Sequence, residues 1–309
     1  MNVLVIGGNG FIGSHLIDCL VENNHSVRVF DHGHEKFRSP NPKIDYRIGD
    51  VREGTSLYEA MLNIDVVFHL ASASVPSSSN LDIEMDITKN VFPTLAVLDN
   101  MVKLGIKKIV YFSSGGAIYG EAVELPLKET FALNPISSYG ITKLAIENYI
   151  KLYNRNHSID YLIIRPSNPY GPRQGHFLAQ GVISTFLRKT NANEGITIYG
   201  DGCNKKDYIF VKDLVQYVYS LFFKSKSGIY NIGSGNSVSI NKIVSLIEEI
   251  TLKKSEIKFV ESKNYDVKDF TLDVSKVKEA IEKEYNTDIK DGIEKTWDWL
   301  KSESSLKKM

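Results

Sequence analysis

Cysteine is scarce: Cys19 and Cys203 are the only two in 309 residues. They give neither a disulfide framework nor the clustered spacing of a metal site, so no metal is expected. Two thiols also point to a reducing compartment. Net charge is absent as well, because 37 Lys and Arg balance 37 Asp and Glu. Nothing in that balance draws the whole surface to nucleic acid or an anionic membrane, so any phosphate site must be local. No apolar run approaches the roughly 20 residues of a membrane span. Met1-Asn2-Val3-Leu4 enters an apolar run directly, with no targeting segment ahead of it. A cytoplasmic protein is expected. There are no internal repeats or low-complexity tracts, and the lysine-rich tail 301–309 reads as a frayed, solvated end.

What is present is an ordinary globular composition, 42% apolar and 24% charged, in a chain long enough for one elaborate domain or two lobes. The apolar run Val3-Leu4-Val5-Ile6 leads into Gly7-Gly8-Asn9-Gly10-Phe11-Ile12-Gly13 and then a helix-periodic stretch to Leu20. Gly7 permits a tight turn, Gly10 lets backbone N–H groups approach a pyrophosphate at the helix start, and Gly13 allows close helix–strand packing. A second strand pattern, 26–30, ends at Asp31, about 20 residues on, where an acid can bind adenosine ribose hydroxyls. That acid repels a 2′-phosphate and favours NAD over NADP, although Lys36 and Arg38 lie close by.

Apolar runs at 66–70, 109–112 and 161–164 alternate with helical patterns at 91–104 and 144–153. The alternation predicts an α/β protein with a Rossmann-type, doubly wound parallel sheet. Ligands of such sheets collect beyond the strand ends, where Asp50-Val51, Leu70-Ala71-Ser72 and Ser113-Ser114 fall. Pro166, Pro169, Gly171 and Pro172 then mark a crossing into a second lobe, before a helical stretch at 177–188. The expected division is a dinucleotide-binding domain at 1–165, rejoined by 207–232, and a smaller, mostly C-terminal substrate-binding lobe from 166–206 and 233–309. Helices are expected at 211–223, 240–250 and 274–284, with a strand at 228–232.

Ser138 reads as the N-cap of a helix carrying Tyr139 and Lys143, one turn apart on one face. A phenol with an ordinary pKa of about 10 is a poor base at neutral pH. An adjacent ammonium and an oxidised nicotinamide both favour the phenolate, which makes Tyr139 a candidate base and Lys143 its partner. Among 16 tyrosines such spacing arises by chance, so its place after the fifth strand carries the argument.

The order Gly7, Gly10, Gly13, Asp31, Asp50-Val51, Asn90, Ser113-Ser114, Tyr139-x-x-x-Lys143 and Asn168-Pro169 resembles the extended short-chain dehydrogenase/reductase family, specifically its UDP-hexose 4-epimerase branch. The likeness covers nearly the whole chain, including Tyr199-Gly200-Asp201-Gly202 and Lys206-Asp207-Tyr208. It implies that Gly7, Gly10, Phe11, Ile12, Gly13, Asp31, Asp50, Val51, Leu70, Ala71, Ser72 and Asn90 hold NAD, with Tyr139 and Lys143. It also implies a UDP-sugar substrate held by Asn168, Lys206, Lys263 and Phe270. Both lysines stand where the family usually has arginine, which keeps the charge and loses the bidentate fork. Gly115 occupies the place of the family's catalytic Ser or Thr, so Ser114 is expected to serve, with Ser113 as the alternative. Pro93 and Ser74 are further departures.

The implied reaction oxidises C4 of the sugar while Tyr139 takes the hydroxyl proton, and a transient 4-keto sugar turns and is reduced on its other face. A 4,6-dehydratase is disfavoured, because Ser114-Gly115-Gly116-Ala117 offers no acid. A UDP-glucuronate epimerase or decarboxylase is an alternative, with Arg173 as a candidate carboxylate ligand. A non-catalytic NAD-binding regulatory protein is another. Phe270 is expected to gate the space around the C2 substituent. The resemblance further implies a homodimer built on helices starting near Thr88 and Tyr139, with Tyr149, Leu152 and Tyr153 in its seam.

Overall fold

The structure is a computed structural model that describes residues 1–121, 124–175, 181–225, 227–261 and 269–306. The strands are β1 (Asn2–Ile6), β2 (Ser26–Asp31), β3 (Ile44–Ile48), β4 (Val66–His69), β5 (Lys108–Phe112), β6 (Asp160–Pro166), β7 (Asn168–Tyr170), β8 (Ile196–Tyr199), β9 (Lys205–Phe210), β10 (Gly228–Ile232), β11 (Ser237–Ser239) and β12 (Ile257–Val260). The helices are α1 (Phe11–Glu22), α2 (Gly54–Met61), α3 (Pro76–Ser79), α4 (Ile83–Leu104), α5 (Gly115–Ile118), α6 (Ser138–His157), α7 (Val182–Ala192), α8 (Val211–Lys224), α9 (Ile240–Thr251), α10 (Ser275–Ile281) and α11 (Ile289–Leu306).

Seven strands form one sheet in the order β10-β6-β5-β4-β1-β2-β3, and every neighbouring pair is parallel. This is the doubly wound α/β fold that the alternating pattern predicts. Val3, Leu4, Val5 and Ile6 are fully buried because helices cover both faces, which explains why β1 reads as an unbroken apolar run. One face packs against α1 and α8 through Leu16, Leu20, Val218 and Leu221, and the other against α4 and α6 through Val97, Leu98, Met101, Ile146 and Ile150. A third apolar cluster joins α7, α9 and α11 to β8 and β9 through Leu187, Ile196, Phe210, Ile247 and Trp297. Two small sheets, β11-β9-β7 and β12-β8, lie outside the main one. No described helix is long and apolar enough to cross a membrane.

Several local expectations need correction. The N-cap of α6 is Ser137, whose hydroxyl accepts from the N–H of Gly140 at 3.2 Å; Ser138 lies inside the helix. α4 starts eight residues before the apolar stretch that announced it. Asp82 caps it by accepting from the N–H of Met85, Glu84 and Asp86 place negative charge at its positive end, and the helix continues through Pro93. α7 begins at Val182, and the first part of the expected 177–188 helix lies outside the described residues. α11 was not foreseen, and it carries residues 301–306 of the supposedly frayed tail.

Candidate active site

The carboxyl ends of the parallel strands share one edge of the main sheet, and the candidate residues gather there. Gly7 has a left-handed φ of +80°, and a β-carbon on it would lie 2.6 Å from the Ala71 nitrogen. At Gly13 a β-carbon would lie 2.5 Å from the Gly7 carbonyl oxygen. These close approaches let α1 start directly behind the turn. Gly10 caps α1 without a side-chain hydrogen bond, and the first turn, which holds Phe11, Ile12 and Gly13, carries no acid. The first N–H groups and positive dipole end of the helix are thus free for an anion.

Asp31 closes the other side of that turn. Its carboxylate accepts from the Asn9 N–H at 3.0 Å and the Gly33 N–H at 3.1 Å. Arg38, a possible 2′-phosphate ligand, is engaged instead by Asp18 and Glu35. Leu70 and Ala71 follow β4, and both N–H groups donate to the Ile6 carbonyl, at 2.9 and 3.1 Å. The Ser72 hydroxyl donates to the Ser74 carbonyl at 3.2 Å, and Asn90 accepts from the Ala73 N–H at 2.9 Å. Val51 packs beside the α4 side of the sheet, while Arg52 hydrogen-bonds Asp50 and holds its carboxyl down at about 2. A glycine turn, a bare helix start and an acid at the end of β2 fit a dinucleotide.

The candidate pair sits beyond β5. Burial pushes the Tyr139 phenol up to about 12, and the neighbouring Ser114 side chain acts against that rise. Lys143 places its ammonium 5.5 Å from the centre of the Tyr139 ring and 5.0 Å from that of Tyr111, and donates to the Phe112 carbonyl at 2.8 Å. Burial lowers the Lys143 amine to about 8, against the pull of Asp86 and Glu147.

Ser113 points elsewhere. Its hydroxyl donates to Glu147 at 2.6 Å, and Glu147 forms a buried pair with Arg165 at 2.7 Å. Arg165 also donates to the Tyr119 hydroxyl at 2.9 Å, which donates in turn to Asn231 at 2.7 Å. Of the two serines, Ser114 is therefore the one at the phenol.

On the far side, the Asn168 amide donates to the Asp207 carbonyl at 2.8 Å, and Lys206 bridges Phe270 across the strands. Phe270 is buried, with its ring 3.9 Å from the point where a β-carbon on Gly116 would stand. Lys263 lies outside the described residues. Arg173 is drawn away from the candidate role on a carboxylate, since it pairs with Asp18 on α1 at 2.8 Å. Tyr153 is likewise committed within the chain, donating to Asp99 on α4 at 2.5 Å.

Residue types alone did not point to Asp86, Glu147 or Arg165, and Asp207 stood out only as part of Lys206-Asp207-Tyr208. The available signal was spacing: Glu147 lies one turn beyond Lys143, and Asp86 one turn before Asn90. Asp207 is fully buried and accepts from the Ser234 N–H at 2.9 Å and the Gly235 N–H at 3.2 Å, gathering the loop after β10 beside Lys206.

A putative UDP-glucose 4-epimerase of Methanocaldococcus jannaschii is 36% identical over 305 residues, covering 97% of this chain and 98% of that protein. The crystal structure of a UDP-glucose 4-epimerase from Thermotoga maritima with UDP-glucose matches with a TM-score of 0.94 at 32% identity, covering 98% of this chain and 100% of that one. A Thermus thermophilus UDP-glucose 4-epimerase in complex with NAD matches with a TM-score of 0.92 at 28% identity, over 97% and 99% of the two chains. The sequence profile of the NAD-dependent epimerase/dehydratase family matches residues 3–233, and the chain belongs to that family.

Proposed function

We propose that this protein is an NAD-dependent isomerase that inverts C4 of a UDP-hexose through a transient 4-keto sugar. The observation that carries the reading is the pair Tyr139 and Lys143, with the Lys143 ammonium 5.5 Å from the centre of the Tyr139 ring, beside a strand edge that also holds a bare helix start. When bound, NAD supplies a reversible hydride acceptor and, in its oxidised ring, a positive charge near the phenol.

The chain's own groups do the rest. Gly7, Gly10, Phe11, Ile12 and Gly13 offer backbone to the pyrophosphate, Asp31 receives ribose hydroxyls, and Asp50, Val51, Leu70, Ala71, Ser72 and Asn90 line the remaining cofactor side. The Tyr139 oxygen takes the proton from the C4 hydroxyl and returns it after the sugar has turned, so no net proton or electron is consumed. The Ser114 hydroxyl steadies that oxygen in its charged form. Lys143 is held by the Phe112 carbonyl in reach of both the phenol and a ribose. The UDP-sugar lies against the second lobe, with Asn168 and Lys206 toward its diphosphate and Phe270 toward the sugar.

Engagement of Arg173 by Asp18 favours a neutral hexose over a uronate. Cytoplasmic residence fits the two free thiols, and nucleic acid is not a partner on this reading. A homodimer would cover exposed Ile83, Ile87, Ile141, Tyr149 and Leu152 on α4 and α6; light scattering tests it. The deciding experiment is proton NMR of the purified protein with UDP-hexoses, UDP-N-acetylhexosamines and UDP-uronates, together with an assay for retained NAD. Interconversion of UDP-glucose and UDP-galactose supports the reading. Protein that carries NAD yet changes none of these sugars supports a regulatory NAD-binding role instead.

A further inference from the structure

Asp86, on the first turn of α4, is 3% exposed, and its carboxylate is surrounded by hydrogen bonds from neutral groups. One oxygen receives the Ser74 hydroxyl and the Asn90 side-chain amide, the latter at 2.8 Å. The other receives the Ser138 hydroxyl at 2.6 Å; the Thr142 hydroxyl lies 3.3 Å from it but closer, at 2.9 Å, to the Tyr139 carbonyl. Ser138 immediately precedes Tyr139, and Thr142 immediately precedes Lys143. One side chain thus holds the start of α6, beside Tyr139 and with Thr142 in reach, and ties it to the loop after β4.

Burying a carboxylate costs free energy that an amide of the same shape would not incur, and hydrogen bonds alone do not require the charge. The reason for a charge lies in what it faces. We propose that Asp86 is a positioning residue for this site: it fixes the start of α6 against Asn90 and Ser74 and sets a negative charge beside Tyr139 and Lys143. This assignment rests on the epimerase reading for its kinetic consequences and goes beyond it for the lysine.

Other groups act on the same pair. Tyr111 on β5 and His69 on β4 face Lys143 and Tyr139 across the sheet, Glu147 lies one turn beyond Lys143 on α6, and Ser114 contacts the phenol. Of these, Glu147 is already neutralised by Arg165. Asp86 has no such partner among the described ion pairs, and it raises the pKa of both Lys143 and Tyr139. Loss of its charge therefore moves both groups in the same direction, to lower pH. A merely structural defect weakens turnover without moving either.

The test compares wild type with Asp86→Asn. First, the Lys143 amine is titrated by carbon NMR of lysine-labelled protein without sugar, its resonance assigned with Lys143→Arg. The expected result is a midpoint roughly one unit below that of wild type; an unchanged midpoint overturns the proposal. Second, the pH profile of kcat/KM is measured with the UDP-hexose. Both limbs are expected to move to lower pH, with kcat reduced and KM within about twofold; fixed limbs, or a change confined to KM, overturn it. Ser138→Ala with Thr142→Val keeps the charge and removes the grip on α6, which keeps the test decisive if Asp86→Asn fails to fold. That variant should lose about tenfold in kcat with both limbs in place, and unchanged kcat counts against the positioning role. The sugar-free titration judges Asp86 even if wild type turns over none of the sugars, an outcome that defeats the epimerase reading alone.

Discussion

Leu272 fills the space above Gly115: a β-carbon on that glycine would stand 2.8 Å from the Leu272 Cδ1 and 2.9 Å from the Pro166 carbonyl oxygen. Gly115 stands where the resemblance places a catalytic Ser or Thr, and the contact explains why this chain has neither there. Gly115→Ser is therefore expected to destabilise the protein by about 1–3 kcal/mol through overpacking and not to raise activity. Pairing it with Leu272→Ala removes one of the clashes. Thermal unfolding of both variants checks this, and an undiminished melting temperature in the single variant would show that the segment yields.

Ser114 is the group that eases ionisation of Tyr139, whose phenol burial holds up at about 12. Ser114→Ala removes the stabilising bond, so the tyrosine pKa rises and the acid limb of kcat/KM moves to higher pH, opposite to the effect of Asp86→Asn. At neutral pH the rate should fall roughly a hundredfold or more, as expected for loss of general-base efficiency. A pH profile identical to wild type would remove Ser114 from the mechanism.

Acid should weaken the fold through two histidines. Burial lowers His15 and His69 each to about 3, whereas in the unfolded chain they titrate near 6.5. Both stay neutral in the fold, so their contribution is complete above pH 6.5 and shrinks as pH falls below it, because the unfolded state then binds the extra protons. The expected loss by pH 5 is about 2 kcal/mol for each. Urea unfolding across this range measures it, and His15→Gln should flatten the slope by about one proton.

Phe270 is buried against the Gly116 side of the site. If its ring limits room around the sugar's C2 substituent, Phe270→Ser raises turnover of UDP-N-acetylhexosamine relative to UDP-hexose by about tenfold, within what a hydrophobic pocket contact is worth. An unchanged ratio in competition assays would assign the ring to packing alone.

Most of the sheet was legible along the chain, because each fully buried parallel strand is a continuous apolar run, as in Val3–Ile6 and Ile109–Phe112. The glycine turn and Tyr139-x-x-x-Lys143 were legible for a similar reason, since both are local patterns that a strand–turn–helix or a single helical turn brings together by itself. The beginning of α4 was hidden, because Ile83, Met85 and Ile87 are exposed and break the amphipathic pattern that marks a helix. α11 was hidden by its many charged positions, although Ile293, Trp297 and Leu300 bury one face.

Local order along the chain thus determined the fold class, the glycine turn and the pairing of Tyr139 with Lys143 on one helix face. Only tertiary packing decided that Ser113 turns to Glu147, that Arg173 belongs to Asp18, and that Asp86 from α4 takes hold of the start of α6. Each of these contacts joins residues at least 25 positions apart, where no sequence periodicity operates and only the folded distance sets the interaction.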